Sequence, residues 1–349
     1  MPTPLRYPEL TVAGSPRDMG RQIGDGAREQ IRGFCAIALE RVNRTVAVSR
    51  KSAFEIAAAS IPLAEGYAPD MVEELRGTAD AAGVSLEELM LLQVRNQLKP
   101  DMAGGCTSFS LAKTLRAGRI VAQNWDNDPA LDPFTIVLTR RPTGRPAFTT
   151  LTQAGLIAYI GFNDAGIGLC LNTLPAPSRK LGVPHYFLVR GIYEARSLDQ
   201  AVAAVRRGER AIPANIMLTT PQGPADLEVT LDDVHVLTDP VRVTHTNHCR
   251  HPDLAAINGQ FPELIQSHAR QARIDALLET ADGGVDAVKQ ILRDHTGSPQ
   301  SICRHANDDP QFGFWQTVFS VIIEPEAGRM HITRGNPCER PFEVYRLGP

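Results

Sequence analysis

The sequence lacks any apolar run long enough to cross a membrane. Its longest runs, such as Val321–Ile323, are far shorter than the roughly 20 residues that a spanning helix needs. It also lacks a block of like charge, because 36 Lys and Arg against 39 Asp and Glu are scattered and give a net charge of −3. Neither a nucleic acid nor an anionic membrane is therefore an expected partner. The first residues lack the apolar core of a signal peptide, so we expect a cytoplasmic protein.

Two kinds of motif are also missing. No G-x-x-x-x-G-K-[ST] or G-x-G-x-x-G segment occurs, so no phosphate-binding loop and no cofactor are expected. The six cysteines include no C-x-x-C pair, and in a reducing compartment they indicate neither a disulfide framework nor an obvious metal site. With 43% hydrophobic and 21% charged residues, the chain has the composition of an ordinary globular enzyme.

Hydrophobic periodicity divides the chain into a helical beginning and a strand-rich remainder. Residues 15–98 read as helices, with N-cap signals at Ser15 and Ser85. From Cys106 onward short strands alternate in groups with helix pairs. The predicted strands are 107–111, 120–124, 134–140, 147–152, 156–162, 167–172, 215–219, 227–229, 234–237, 241–245, 318–323 and 329–333, and the predicted later helices are 184–207, 262–280 and 284–295. Grouped rather than singly alternating elements predict an α+β fold with antiparallel sheets covered by helices.

The segment Gly104-Gly105-Cys106 carries the most specific chemical signal. A cysteine that opens a strand after two glycines can attack its own preceding carbonyl, which glycine leaves uncrowded. Cleavage of the Gly105–Cys106 bond would give Cys106 a free α-amine with a pKa of about 7.7–8, so nucleophile and base would share one residue. The alternative is a buried structural cysteine after a glycine turn.

Three further polar residues are candidates for the same site. Asp126 ends the second predicted strand, where a hairpin would bring its carboxylate toward Cys106, although turn aspartates also serve as caps. Asn247 lies in His245-Thr246-Asn247-His248-Cys249 and could donate an N–H to an oxyanion. Arg304 could supply fixed positive charge near a thiol, or it could be a surface arginine.

Two alternatives to a thiol enzyme are open. One is a metal-dependent hydrolase that uses His245, His248 and Asp126, although alternate residues of an extended segment point to opposite faces. The other is a non-catalytic precursor that binds an acyl ligand and keeps the Gly105–Cys106 bond intact.

Five segments in unchanged order carry a resemblance to a known family. They are Gly105-Cys106-Thr107, Gln123-Asn124-Trp125-Asp126, Gly161-Phe162-Asn163 with Ala165-Gly166, His245-Thr246-Asn247-His248-Cys249 and Ser301-Ile302-Cys303-Arg304. Together they resemble the isopenicillin N acyltransferase (acyl-coenzyme A:6-aminopenicillanic acid acyltransferase) family of N-terminal-nucleophile hydrolases, which is related to penicillin V acylase and bile salt hydrolase. The resemblance extends over residues 14–334.

The resemblance implies a four-layer αββα sandwich and a role for each matched residue. It implies that Cys106 is the nucleophile and that the bond after Gly105 is cleaved by the protein itself. Asp126 matches the aspartate that follows the nucleophile, Arg304 matches an arginine beside the thiol, and Asn247 matches an oxyanion-hole asparagine. Asn172 lies where relatives place a second oxyanion residue.

The sequence therefore predicts an autoproteolytic precursor. Residues 1–105 would form a helical pro-segment that stays docked, and residues 106–349 would form the catalytic fragment. The expected activity is amide hydrolysis or acyl transfer through a Cys106 acyl-enzyme. The expected partners are a small-molecule amide or acyl donor, an amine acceptor if the reaction is transfer, and the cleaved N-terminal fragment, and the chain could also form a homo-oligomer.

Overall fold

The computed structural model describes residues 4–98, 105–264, 266–310 and 313–348. Within these ranges the α-helices, α1 to α9, are Pro16–Gly26, Arg28–Val42, Arg50–Tyr67, Pro69–Ala82, Leu86–Val94, His185–Ile192, Leu198–Arg206, Ser267–Thr280 and Val285–Leu292. The strands, β1 to β14, are Glu9–Gly14, Cys106–Leu111, Ile120–Asn127, Thr135–Pro142, Phe148–Gln153, Ile160–Asn163, Gly168–Asn172, Ala214–Thr220, Gly223–Val229, Val234–Thr238, Arg242–His245, Gln316–Glu324, Arg329–Arg334 and Glu343–Arg346.

The helical beginning forms where its capping residues predict it. The Ser15 side chain accepts a hydrogen bond from the Asp18 backbone nitrogen at the start of α1. Ser85 and Glu88 form a reciprocal capping box at the start of α5, which satisfies two backbone donors that the helix itself leaves unpaired. The predicted helical character of residues 15–98 is confirmed.

The strands form two sheets. The eight-stranded sheet has the order β1-β4-β5-β6-β7-β8-β9-β10, and the six-stranded sheet has the order β11-β2-β3-β12-β13-β14. Among the described strands, only the β1–β4 pair is parallel. The prediction of antiparallel sheets is therefore confirmed, with one parallel edge strand added.

The sheets face each other and helices cover both outer faces. Strands β2 and β3 contact β7 and β8 across the sandwich. Helices α1, α2 and α7 contact the eight-stranded sheet, while α8 and α9 contact the six-stranded sheet. The molecule is thus an α+β sandwich of four layers in the order helix, sheet, sheet, helix, as predicted.

Alternation along β12 shows why the six-stranded sheet needs a cover on each face. Val321 and Ile323 belong to the large apolar core that lies against the other sheet and the N-terminal helices. Ile322, which points the other way, belongs to a second core formed with α8 and α9. Burial of both faces places this sheet in the interior, where its strand ends can carry a water-shielded site.

Two strands that the sequence analysis did not predict are β1 and β14, and one predicted strand is shorter than expected. Residues 156–159 precede β6 rather than belonging to it. Gly155 has a φ of +94°, and the Leu156 nitrogen donates to Gln153 in a turn. The Ile157 nitrogen donates to the Gln93 side chain of α5, so these backbone groups bond to a helix instead of a neighbouring strand.

The N-terminal segment is joined to the rest of the sandwich at several points. Besides the β1–β4 pairing, Glu74 of α4 accepts a hydrogen bond from Arg140 of β4 at 2.7 Å, and both side chains are buried. Gly104 lies outside the described residues, while Gly105 and Cys106 lie within them. No helix within the described residues is long and apolar enough to span a membrane.

Candidate active site

Cys106 is the first residue of β2 and lies at the inner end of a pocket. It pairs with Trp125 of β3 and is 3% exposed. The pocket walls come from both sides of the predicted cleavage point, with Phe34, Val42 and Arg95 from the helical segment and Trp125, Tyr159 and Tyr186 from the remainder. Cys106 is therefore a buried residue that lines a cavity with both aromatic and charged walls.

Both sides of the Gly105–Cys106 peptide bond are held by hydrogen bonds. The Gly105 carbonyl oxygen accepts from the Asp126 backbone nitrogen at 2.9 Å. The Cys106 backbone nitrogen donates to the side-chain Oδ1 of Asn247, also at 2.9 Å. The bond predicted to break is thus fixed between β3 and the segment that follows β11.

Burial raises the pKa of the Cys106 thiol well above its usual range, and the nearby Asp126 carboxylate raises it further. The backbone N–H groups of Asp126 and Thr173 and the charge of Arg270 act in the opposite direction, because each stabilises a thiolate. In the uncleaved chain this thiol stays protonated near neutral pH, so it needs a nearby base to become a nucleophile.

Arg270, which sequence reasoning missed, is the arginine that touches Cys106. This fully buried side chain of α8 donates to the Cys106 carbonyl oxygen at 2.5 Å, to Thr107 Oγ1 at 2.9 Å and to Asn247 Oδ1 at 2.7 Å. Ile274 lies one helical turn after Arg270 and is also buried. The i, i+4 spacing of the two residues indicates that the guanidinium lies on the inward face of α8.

Asp126 lies beside Cys106, as the hairpin predicts, and is completely buried. Its Oδ1 accepts from Thr317 Oγ1 at 2.7 Å, and among the described residues its Oδ2 has no hydrogen-bond partner. Burial raises the pKa of this carboxyl to about 6, although Arg270, the Thr317 hydroxyl and Arg304 each favour the charged form.

Arg304 lies one step further from the thiol than the family resemblance implies. Its backbone nitrogen donates to Thr317 Oγ1 at 2.9 Å, and its guanidinium donates to the carbonyl oxygens of Trp315 and Pro299. Its charge interacts with Asp126. Arg270 is the arginine seen to contact Cys106 directly, so the role of Arg304 at the thiol stays a prediction.

Asn172 and Asn247 both reach the site, but their amide groups are engaged differently. Asn172 donates both of its side-chain hydrogens, to the carbonyl oxygens of His245 at 3.1 Å and Thr246 at 2.7 Å. Asn247 donates through Nδ2 to the Thr173 carbonyl at 3.0 Å, while its Oδ1 faces Cys106 and Arg270. An oxyanion role for Asn172 requires that one of its two donated bonds is exchanged, whereas Asn247 Nδ2 donates one hydrogen to Thr173 and can donate the other; both roles stay predictions.

The structure does not assemble the metal site that the alternative hypothesis requires. His245 Nε2 lies 2.9 Å from Glu228 Oε1, and its Nδ1 lies 2.9 Å from the Thr246 carbonyl. His248 Nδ1 instead lies 2.7 Å from Ser267 Oγ. Within the part of the chain that the structure describes, no group of metal-binding side chains combines His245 with His248 or Asp126.

Comparison with known proteins identifies the family. The model of the acyl-coenzyme A:6-aminopenicillanic acid acyl-transferase family matches residues 114–339. The chain belongs to this acyltransferase family. A relative, the 40 kDa form of acyl-coenzyme A:6-aminopenicillanic-acid-acyltransferase from Emericella nidulans, is 26% identical over 346 residues, which are 96% of this chain and 94% of the relative. The predicted enzyme class, one that moves an acyl group, is confirmed.

Two solved structures are similar at a lower level. Penicillin V acylase from Agrobacterium tumefaciens is 12% identical with a TM-score of 0.41, and the match covers 65% of this chain and 82% of that one. A mutant of conjugated bile acid hydrolase from Clostridium perfringens is 10% identical with a TM-score of 0.42, and the match covers 68% of this chain and 96% of that one.

Proposed function

We propose that this member of the acyltransferase family is an N-terminal-cysteine enzyme that cleaves itself between Gly105 and Cys106. The observation that carries the proposal is the environment of that peptide bond. Its carbonyl oxygen accepts from Asp126, its nitrogen donates to Asn247, and the Cys106 side chain faces the pocket. A thiol, an adjacent carbonyl and a held nitrogen are the groups that an intramolecular acyl shift needs.

In the self-cleavage step, the Cys106 sulfur attacks the Gly105 carbonyl carbon. The Asp126 backbone N–H, already bonded to that carbonyl oxygen, stabilises the negative charge that develops there. Collapse breaks the C–N bond and leaves a thioester between Gly105 and the sulfur, while the proton that the thiol gives up passes to the Cys106 nitrogen, which is freed as an amine. Water then hydrolyses the thioester, which gives a Gly105 carboxylate and regenerates the thiol.

In the mature enzyme, the new amine of Cys106 removes the thiol proton. Asn247 Oδ1 holds this nitrogen in place, and the Asp126 carboxylate stabilises its protonated form. The thiolate attacks the substrate carbonyl and expels the leaving amine, which takes a proton from Cys106. Water or a second amine then accepts the acyl group from the thioester.

The surrounding polar residues act on these groups. We propose that Arg270 fixes Cys106 and Asn247 relative to each other, and that Arg304 helps to keep Asp126 charged. We assign Asn247 Nδ2 as an oxyanion donor through its second hydrogen, while the first stays bonded to the Thr173 carbonyl. Asn172 donates to the carbonyl oxygens of His245 and Thr246 and so helps to position the segment that carries Asn247. It is also the second predicted oxyanion residue.

We propose an apolar or aromatic acyl group for the part of the pocket that Phe34, Trp125, Tyr159 and Tyr186 line, while Arg41, Arg95 and Asp128 supply charged groups elsewhere in it. The Emericella relative is named for acyl-coenzyme A and 6-aminopenicillanic acid. In this sequence no phosphate-binding loop supports coenzyme A, so we propose amide hydrolysis as the main reaction. The wall from the N-terminal segment makes that fragment part of the substrate site.

Trapping the acyl-enzyme tests the proposal. Wild-type protein and the Cys106→Ala and Cys35→Ala variants are exposed to an activated aromatic ester, quenched in acid and digested for mass spectrometry. We expect an acyl thioester on a peptide that begins at Cys106, in wild type and Cys35→Ala alone. Acylation only at another residue, or substrate turnover by Cys106→Ala, contradicts the proposal. An intact Gly105–Cys106 bond without any acylation favours the non-catalytic binding precursor.

A further inference from the structure

Four metal-binding side chains converge at a second place, away from the pocket. They come from three separate segments: His295 follows α9, Cys303 and His305 precede β12, and Cys338 follows β13. Their ligand atoms all lie within 4.8 Å of one another. The acyl-transfer proposal uses none of them.

Four of the six distances between ligand atoms in this cluster are close to those of a tetrahedral metal site. The two sulfurs are 3.6 Å apart, Cys338 Sγ lies 3.3 Å from His305 Nε2, Cys303 Sγ lies 3.9 Å from the same nitrogen, and the two Nε2 atoms are 3.1 Å apart. Zinc bonds of about 2.3 Å to sulfur and about 2.0 Å to nitrogen require tetrahedral separations of about 3.8 Å between sulfurs and about 3.3 Å between nitrogens.

We propose that His295, Cys303, His305 and Cys338 bind one structural Zn²⁺. Two thiolates and two neutral imidazoles form a Cys₂His₂ set, which suits zinc in donor type and in charge, because the two thiolates balance the dication. Four protein ligands complete the tetrahedron and leave no position for water or substrate. The ion therefore has a structural role rather than a catalytic one.

The neighbours of the cluster are those expected around bound metal. Glu339 Oε1 lies 3.6 Å from His305 Nδ1, on the ring nitrogen that faces away from the other ligands. Asn336 Nδ2 donates to Cys303 Sγ at 3.5 Å. A carboxylate behind a histidine ligand and an N–H directed at a thiolate both orient ligands and favour their metal-bound forms.

The backbone around Arg304 connects the cluster to the candidate active site. Arg304 stands between Cys303 and His305, and its carbonyl accepts from Asn336 at 2.7 Å. Its nitrogen donates to Thr317, whose hydroxyl donates to Asp126. A zinc ion that ties these three segments together would hold Arg304 and Thr317 in place against Asp126.

The spacing of these four residues does not match a common zinc motif. Seven residues separate His295 from Cys303, one separates Cys303 from His305, and Cys338 is far downstream. The expectation that the cysteines form no obvious metal site followed from the missing C-x-x-C pair. The competing interpretation of the two close sulfurs is a Cys303–Cys338 disulfide, which requires a bond of about 2.05 Å.

Elemental analysis of the full-length wild-type protein, purified under reducing conditions, tests the proposal. We expect one zinc per chain, in Cys106→Ala as well, since zinc binding does not depend on self-cleavage. Cys338→Ser and His295→Gln should lose most of the metal, the matched control Cys35→Ser should keep it, and Glu339→Gln should weaken zinc affinity by about tenfold or more. Cobalt exchanged into the wild type should give the absorption of a tetrahedral thiolate site.

Three results would overturn the proposal. One is a wild-type chain that carries no zinc and binds none in a titration. Another is peptide mapping that finds Cys303 joined to Cys338 in a disulfide. The third is zinc content that is unchanged in both ligand variants. If a variant fails to fold, the wild-type zinc content and cobalt spectrum still decide the question.

Discussion

The side-chain oxygen of Asn247 accepts a hydrogen bond from the Cys106 nitrogen at 2.9 Å and another from Arg270 at 2.7 Å. The same side chain donates through Nδ2 to the Thr173 carbonyl. Asn247 therefore has two separable tasks in the proposed mechanism, because its oxygen holds the nitrogen of the nucleophile and its NH₂ group is the proposed oxyanion donor.

Two substitutions separate these tasks. Asn247→Ala should slow turnover by about 10²–10³-fold through loss of the oxyanion donor, and it should also slow self-cleavage because the Cys106 nitrogen is no longer held. Asn247→Asp keeps the oxygen that accepts from the Cys106 nitrogen but loses the NH₂ donor. Compared with Asn247→Ala, it should therefore recover self-cleavage but not substrate turnover. Cleavage is followed by gel and turnover by amide hydrolysis, with Asn43→Ala, in an exposed turn, as control. Full turnover in Asn247→Asp would exclude the donor role.

Arg270 should matter for stability as well as for geometry. Replacement by Leu removes the charge that most favours ionised Asp126 and leaves the buried acceptors at Cys106, Thr107 and Asn247 without this donor, and each unsatisfied buried polar group costs about 1–3 kcal/mol. Arg273→Leu on the same helix removes an ion pair to Asp294 whose arginine is 36% exposed, and such a pair contributes about 0–1 kcal/mol. Denaturant unfolding measures both, and equal losses would contradict the buried role.

The double variant Arg270→Leu/Asp126→Asn gives an internal check on this interpretation. Removing the charge that Arg270 compensates should recover part of the lost stability, since the uncompensated carboxylate is then gone. If the two substitutions are simply additive, then Arg270 and Asp126 do not interact in the folded protein.

Asp126 should control the acid side of the pH profile. Its pKa is about 6 in the folded chain because burial opposes the charged form, whereas 3.8 is its ordinary value. The proposed mechanism needs the neutral Cys106 amine, whose ordinary pKa is about 7.7–8, and also the Asp126 carboxylate, so kcat/KM should first decline below about pH 8 and a second acid limb should appear below about pH 6. Asp126→Asn should be much slower and should lack this acid limb. A limb that persists near pH 6 in the variant would assign it to another group.

The same pKa shift predicts a change in stability of known sign. The folded state binds the Asp126 proton more tightly than the unfolded state does, so this residue's contribution is fully present below pH 3.8 and is lost as pH rises through about 6. The difference in unfolding free energy between Asp126→Asn and wild type should therefore grow in favour of the variant across this interval. A difference that shrinks with rising pH would contradict the raised pKa.

The N-terminal fragment should stay bound after cleavage. It supplies strand β1 to the eight-stranded sheet, the buried Glu74–Arg140 pair and the pocket wall at Phe34. The two fragments should co-elute in size-exclusion chromatography and separate only in denaturant, together with loss of activity. Native elution of residues 1–105 apart from an active remainder would contradict this prediction.

The sequence predicts most of the local structure because its signals are local. The caps at Ser15 and Ser85 and the hairpin around residues 116–119 depend only on nearby residues, and the structure has them. Strand β1 could not be predicted in the same way, because its ladder partner is β4, more than 120 residues later. Residues 156–159 form a continuous apolar run like that of a buried strand, yet their backbone bonds to a turn and to Gln93.

In the candidate active site, too, only contacts between residues close in sequence could be predicted. Cys106 and Asp126 could be placed together from one hairpin. Arg270 was missed because an arginine in a polar helix is usually exposed, although its i, i+4 spacing from the buried Ile274 indicates the inward face of α8. The four residues of the proposed zinc site meet only when three distant segments fold together.

The intact mass of the purified wild-type protein under denaturing conditions decides whether the chain cleaves itself. We expect two masses, those of residues 1–105 and of residues 106–349 beginning with Cys106, and a single uncleaved, inactive chain for Cys106→Ala. An active wild-type preparation that shows only the mass of the unbroken 349-residue chain would contradict the proposed self-cleavage.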